Sequence, residues 1–350
     1  MGSRTETAAP LLATAMRPEG EPRAAGGAGR VLFDLFLTML LLALLVFGAL
    51  YVWPAISNPG AGKTLASILI SALLIPIVPV VLLSLIERLF PPAGPRKSLR
   101  QWFLHLHVHV FYIFMAGIAA ALNAVALSAL ARHFGIHLGL IDLRFAAGKG
   151  LLVLAAAVWV AMVLGDFFFY WFHRALHKSR ILWQHHKLHH MDEQLEAITL
   201  NRQNWIEVFI AALLIFAPVA LLFKVDRPDP TQLGLLAGTL ATVFGTFLGI
   251  GHMNVRFQVG KASVLYCSPQ MHRIHHSRLP QHQDKNFAFA LPLWDVLFGT
   301  YYAPLRDEFP PTGVDGEKEI QSFWEAQIFT QREWWRMFRR WRARSRDALA

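Results

Sequence analysis

The stretch DFFFYWFHRALHKSRILWQHHKLHH, residues 166–190, decides the fold. Its first half is apolar and aromatic apart from Asp166, and it ends on His173 and His177, four residues apart and so on one face of a helix. The second half repeats the device, with His186, His189 and His190 at i, i+3 and i+4. HRIHH at 272–276 gives the same spacing again through His272, His275 and His276. Of the 16 histidines in the chain, 11 fall between 173 and 282. A single imidazole at a helix end is ordinarily a polar or dipole-compensating residue. Eight of them in three short helical arrays would repel one another if protonated, whereas neutral imidazoles can share cations through their free nitrogens. The pattern predicts a histidine-rich metal centre for more than one ion, with His252 as a ninth ligand.

The rest of the chain sets that centre against a membrane. Of 350 residues, 55% are hydrophobic and 16% charged, against roughly 45–50% and 25% in soluble domains. Long apolar blocks run at about 31–53, 65–86, 103–131, 150–172, 206–223 and 233–251, most of them near the ~20 residues a spanning helix needs. The expected fold is therefore all-α and polytopic, with about six transmembrane helices. Placing the N-terminus in the cytoplasm puts 27 of the 33 basic residues on the cytoplasmic side, as the positive-inside rule requires. Both termini and all three histidine groups then share that face. In a bacterium the location would be the inner membrane.

Four segments follow from this reading: a disordered tail over 1–30, N-terminal membrane helices over 31–131, a domain holding the three histidine groups over 145–305, and a basic amphipathic C-terminal tail over 306–350. Within the last, WEAQIFTQREWWRMFRRWRARSR interleaves Trp and Phe with Arg and suits a helix at the headgroup boundary. The net charge of +10 is accounted for by such cationic flanks, so no nucleic-acid partner is expected. The lone Cys267 excludes an intramolecular disulfide and a cysteine-ligated cluster.

Several motifs lead elsewhere. NPGAGKTLA at 58–66 has Ser57 where a phosphate-binding loop needs its first glycine, and it reads as an interhelical turn. HRALH carries Arg174 where a zinc protease has its catalytic Glu. In HLHVHV, His105, His107 and His109 alternate, which on a helix sends His107 away from the other two, so they are left out. His133 and His137 fall on the opposite membrane face. Asp295 is expected to stabilise a turn.

HRALH, HHKLHH and HRIHH, followed by DKNFAF and WDVLFGTYY, resemble the membrane-bound fatty acid hydroxylase and sterol desaturase superfamily over about 166–302. The resemblance implies two non-haem iron ions and O2 as co-substrate, acting on a C–H bond of a lipid by hydroxylation or desaturation. Carried onto this sequence, it implies metal ligands His173, His177, His186, His189, His190, His252, His272, His275 and His276. Some members have a further His four residues after the counterpart of His252, where this chain has Arg256, so Asn254, His282 and His185 stand as substitutes for a tenth ligand. Asp166, seven residues before His173 and on nearly the same face, is read either as a carboxylate orienting a ligating imidazole or as a buried structural acid. Glu207 is a weaker candidate of the same kind. No haem or flavin motif is visible, so the reductant must be an external ferredoxin or cytochrome. A histidine-lined metal transporter is the competing class, but it needs ionisable groups along a midplane path.

Overall fold

The computed structural model describes residues 77–135, 151–216, 218, 245–257 and 260–347. Helices dominate, and the described residues contain no strand beyond one isolated antiparallel bridge between Ser277 and Thr312. The long helices are α1, Leu99–Phe134, and α2, Leu151–Lys178. Short α3, Arg180–His190, follows, and then α4, Trp205–Ala211, which continues as a π turn over Ala212–Phe216. After another helical stretch at 245–252 come α5, Pro269–His275, α6, Leu293–Leu297, and α7, Phe323–Asp347.

Among the described residues one stretch, Leu99–Ala119 in α1, is long and apolar enough to cross a membrane. The blocks expected at 103–131 and 150–172 lie inside α1 and α2. Those at 31–53 and most of 65–86, with the tail, the 58–66 turn and His137, fall outside the described residues, as does most of the 206–251 hairpin.

Local chemistry explains how the histidines are brought together. α2 runs past its apolar block far enough to carry His173 and His177. Ser179 then leaves the helical region, with φ −96° and ψ 123°, and its side chain accepts from the Leu182 amide to cap α3. The chain thus turns sharply between two histidine-bearing helices that pack on each other. Ser268 caps α5 in the same way, accepting from the Met271 amide, with Pro269 at the first helical position.

Apolar packing fixes the rest. Val108 of α1, Leu188 of α3 and Ile320, Phe323, Ala326 and Phe329 form one buried cluster. The region expected as a tail is therefore, through Ile320–Phe329, part of the core that backs α3. Beyond Glu333, α7 exposes Trp335, Phe338 and Trp341 among its arginines. A buried ionic knot ties the start of α1 to the segment after α3. In it the Lys97 ammonium donates to Asp192 at 2.7 Å and to Glu319 at 3.1 Å, while Arg202 donates to Glu319. Removing one member of such a pair strands a buried charge, at a cost of about 3–5 kcal/mol.

Candidate metal centre

The structure brings the nine expected ligands together in two adjoining groups. His173, His177, His186, His190 and His275 form one, and His189, His252, His272 and His276 the other. Within each, one nitrogen per ring lies within 4.8 Å of all the others. α2, α3 and α5 therefore supply seven of the nine rings, His276 caps the C-terminus of α5, and the helical stretch at 245–252 supplies His252. The groups meet at His190 and His276, whose rings are nearly parallel with centroids 4.3 Å apart.

Hydrogen bonds from outside decide which nitrogens face inward. A carbonyl only accepts, so the 2.8 Å contact of His173 Nδ1 with the Phe287 carbonyl puts the proton on Nδ1. His275 Nδ1 donates likewise to the Lys285 carbonyl at 2.9 Å. The Thr199 hydroxyl donates to the Glu196 carbonyl, and so accepts from His252 Nδ1 at 3.4 Å. His186 Nδ1 faces a Glu207 carboxylate oxygen at 3.3 Å. Each of these rings, when neutral, turns an Nε2 lone pair inward.

Those lone pairs converge. His173 Nε2 lies 2.8 Å from His186 Nε2, His252 Nε2 lies 2.9 Å from His272 Nε2, and His276 Nε2 lies 3.1 Å from His272 Nε2. Two lone pairs so close repel unless a proton or a cation is shared between them. The separations match the spacing of about 2.9 Å between nitrogens set at right angles around one ion ~2.0–2.1 Å away. His177 Nε2, His189 Nδ1, His190 Nε2, His275 Nε2 and His276 Nδ1 are buried without a protein partner, which also fits ligation. The donor set thus suits metal ions that imidazole favours: iron, zinc, copper or nickel.

Burial, then neighbouring imidazoles, hold His177, His189, His190, His272 and His276 well below the ordinary histidine value of 6.5. Burial pushes His275 down to about 3. The rings are neutral near pH 7 and ready to ligate. In the unfolded chain they titrate near 6.5, so below that value the unfolded state binds more protons and stability is lost as pH falls. Metal-free protein is expected to melt at clearly lower temperature at pH 5.5 than at pH 7.5. Equal melting points would contradict a buried, neutral set.

Of the two readings of Asp166, the structure favours the buried structural acid over the carboxylate that orients an imidazole. Its carboxylate accepts the backbone N–H groups of Phe289, Ala290 and Leu291 at 2.8–3.1 Å, and it has no hydrogen bond to an imidazole. The three consecutive amides satisfy both oxygens. Asp295 accepts from the Phe287 and Ala288 amides and the Thr300 hydroxyl, which stabilises the turn around it. Two buried acids thus clamp the 285–291 segment whose carbonyls fix His173 and His275. Asn286, at φ 55°, sits in the left-handed region; its amide donates to the Met271 and Tyr302 carbonyls and its oxygen accepts from the Tyr302 N–H.

The carboxylate that does face an imidazole belongs to Glu207. Glu207→Gln is expected to weaken metal affinity by roughly 10- to 100-fold, the usual effect of losing such a partner, with the chain still folded. Titration with a metal-binding competitor dye would measure it, and unchanged affinity would remove Glu207 from the site.

The three substitutes for a tenth ligand lie outside both groups. Asn254 donates to the Gly94 and Pro95 carbonyls. His282 contacts Ser277 and Glu308, and the His185 ring packs edge-on against Trp334. His105, His107 and His109 are buried in α1 and also lie outside the groups. Thr199 escaped sequence reasoning, since a hydroxyl ten residues beyond His189 carries no signal of its role.

The family model described as fatty acid hydroxylase matches residues 158–300. Over these residues the chain is similar to the fatty acid hydroxylase family. All nine imidazoles of the two groups lie within the matched residues. The chain is 30% identical over 165 residues to the ornithine lipid hydroxylase OlsE of Rhizobium tropici, covering 47% of each. It is 32% identical over 146 residues to human alkylglycerol monooxygenase, covering 41% of this chain and 31% of that protein. It is 30% identical over 165 residues to the very-long-chain aldehyde decarbonylase GL1-7 of rice, covering 44% and 24%. The chain thus spans less than half the length of these curated relatives. No solved structure matches the chain significantly.

Proposed function

We propose that the chain is a membrane-embedded, O2-dependent oxidoreductase that hydroxylates a C–H bond of a lipid. The observation that carries this is two adjoining groups of buried imidazoles, their free nitrogens turned inward, within residues similar to the fatty acid hydroxylase family. The nine histidines would hold two irons, which when bound supply the activation of O2. The reaction balances as a monooxygenation: C–H, O2, two electrons and two protons give C–OH and water. The electrons come from outside the chain, from a ferredoxin or cytochrome.

The chain's own residues prepare that reaction. The Phe287 and Lys285 carbonyls and Glu207 hold ring orientation, and burial excludes water that would otherwise protonate the imidazoles. The apolar stretch Leu99–Ala119 of α1 supports a lipid environment; six spans and cytoplasmic termini belong to the same proposal. Hydroxylation is favoured over desaturation because two of the three relatives compared are named as a hydroxylase and a monooxygenase. The transporter reading has no support in the family match, and the imidazoles converge on one centre instead of lining a path.

Membranes containing the chain, supplied with isotopically heavy O2, are expected to yield a lipid carrying one heavy oxygen atom. Label arriving from water instead, or a product short of two hydrogens with no added oxygen, would overturn the proposal.

A further inference from the structure

A cleft of about 850 Å³ opens beside the packed helices α3 and α7, lined by residues of 180–187, Glu317 and residues of 333–344. Its lining carries five cations, Arg180, Lys187, Arg336, Arg340 and Arg344, against two acids, Glu317 and Glu333. The acids are engaged inside it: Lys187 donates to Glu317 at 2.7 Å and to Glu333 at 2.8 Å, and Arg336 donates to Glu333. Arg180, Arg340 and Arg344 are exposed and pair with no carboxylate among the described residues. The cleft is therefore electropositive.

Trp183 also lines it. On its other side the indole touches the five-histidine group, with its ring centroid 5.2 Å from that of His177 and 5.4 Å from that of His190. One half-buried aromatic ring thus bridges a cationic recess and two candidate metal ligands. Eight of the nine residues of the metal centre are buried and His177 is half-buried with its Nε2 withdrawn from solvent, so the direct way in for electrons passes through a protein side chain. Tunnelling falls exponentially with distance, and here the wall is a single side chain thick.

We propose that this cleft is the docking face for an acidic one-electron carrier protein, and that Trp183 is the bridge by which its electrons reach the five-histidine group. The proposal rests on the monooxygenase reading, which requires two external electrons per turnover, delivered one at a time to metal that is thereby reduced. A bilayer is the other anionic partner such residues could meet. It presents a broad, nearly flat surface, whereas these cations line a recess around the one indole that touches the ligands, and charge complementarity in a recess favours a protein.

The test uses the full chain in neutral-lipid nanodiscs and a plant-type [2Fe–2S] ferredoxin as the acidic carrier. Metal-free wild-type chain should bind the ferredoxin with an affinity that falls as salt rises. Arg340→Glu with Arg344→Glu should weaken binding by roughly tenfold or more at low salt. In iron-loaded chain, Trp183→Leu should leave binding within about twofold but slow ferredoxin reoxidation by roughly tenfold or more, with Trp183→Phe restoring part of the rate and dithionite reducing all variants alike. Because binding is read on the metal-free chain, a wrong metal or substrate leaves that result standing. Salt-insensitive binding, unchanged binding after charge reversal, or a charge reversal that instead abolishes preference for phosphatidylglycerol vesicles would overturn the proposal. So would a Trp183→Leu rate equal to wild type.

Discussion

Alanine at His173, His189 or His275 is expected to abolish product formation, by about 100-fold or more, while leaving the chain inserted and folded. The three test both groups, since His173 and His275 belong to the five-ring set and His189 to the four-ring set. Removing an imidazole that only packs would leave a cavity and a modest loss of stability. Removing a ligand does more than removing its outer partner, which alone costs roughly 10- to 100-fold. His173→Ala and His275→Ala should deplete one metal, and His189→Ala the other, as read by metal content of each purified variant. Full product from all three variants would sink the assignment.

The second large effect is at Asp166. Its carboxylate is the sole partner shown for three consecutive amides, two of them buried and that of Leu291 part-buried. Asp166→Ala strands all three, at about 1–3 kcal/mol each, a large part of the 5–15 kcal/mol that stabilises a typical domain. Little folded protein should be recovered. Asp166→Asn keeps one accepting oxygen but sets an NH2 against an N–H, so it should lower the melting temperature while the surviving protein keeps its metal content. Loss of metal at an unchanged melting temperature would instead put Asp166 in contact with a ligand.

The histidines were legible because their spacing is a local property: i, i+3 and i+4 positions share a helix face whatever the tertiary fold does. The capped corner at Ser179 and the Pro-led start of α5 are local too. Asp166 was not legible in the same way. Its place on the His173 face is local, but its choice of partner depends on amides more than 120 residues away arriving beside it. Glu207 is similar, since only the packing of α4 brings it to His186. The C-terminal segment looked like a basic tail because its arginines dominate the composition. Ile320, Phe323, Ala326 and Phe329 are too widely spaced among polar residues to stand out, yet they form the face on which α3 rests. His185 adjoins a ligand in sequence and still points elsewhere, because helical geometry turns its ring away to Trp334.

The central claim is that two groups of imidazoles hold two metal ions. Elemental analysis of chain purified from iron-replete cells, set against protein concentration from amino-acid analysis, tests it most directly. Two irons per chain are expected, falling to near zero in a variant lacking His173 and His189 together. Purified, folded chain that carries no metal and takes up none when iron is supplied under reducing conditions would contradict it.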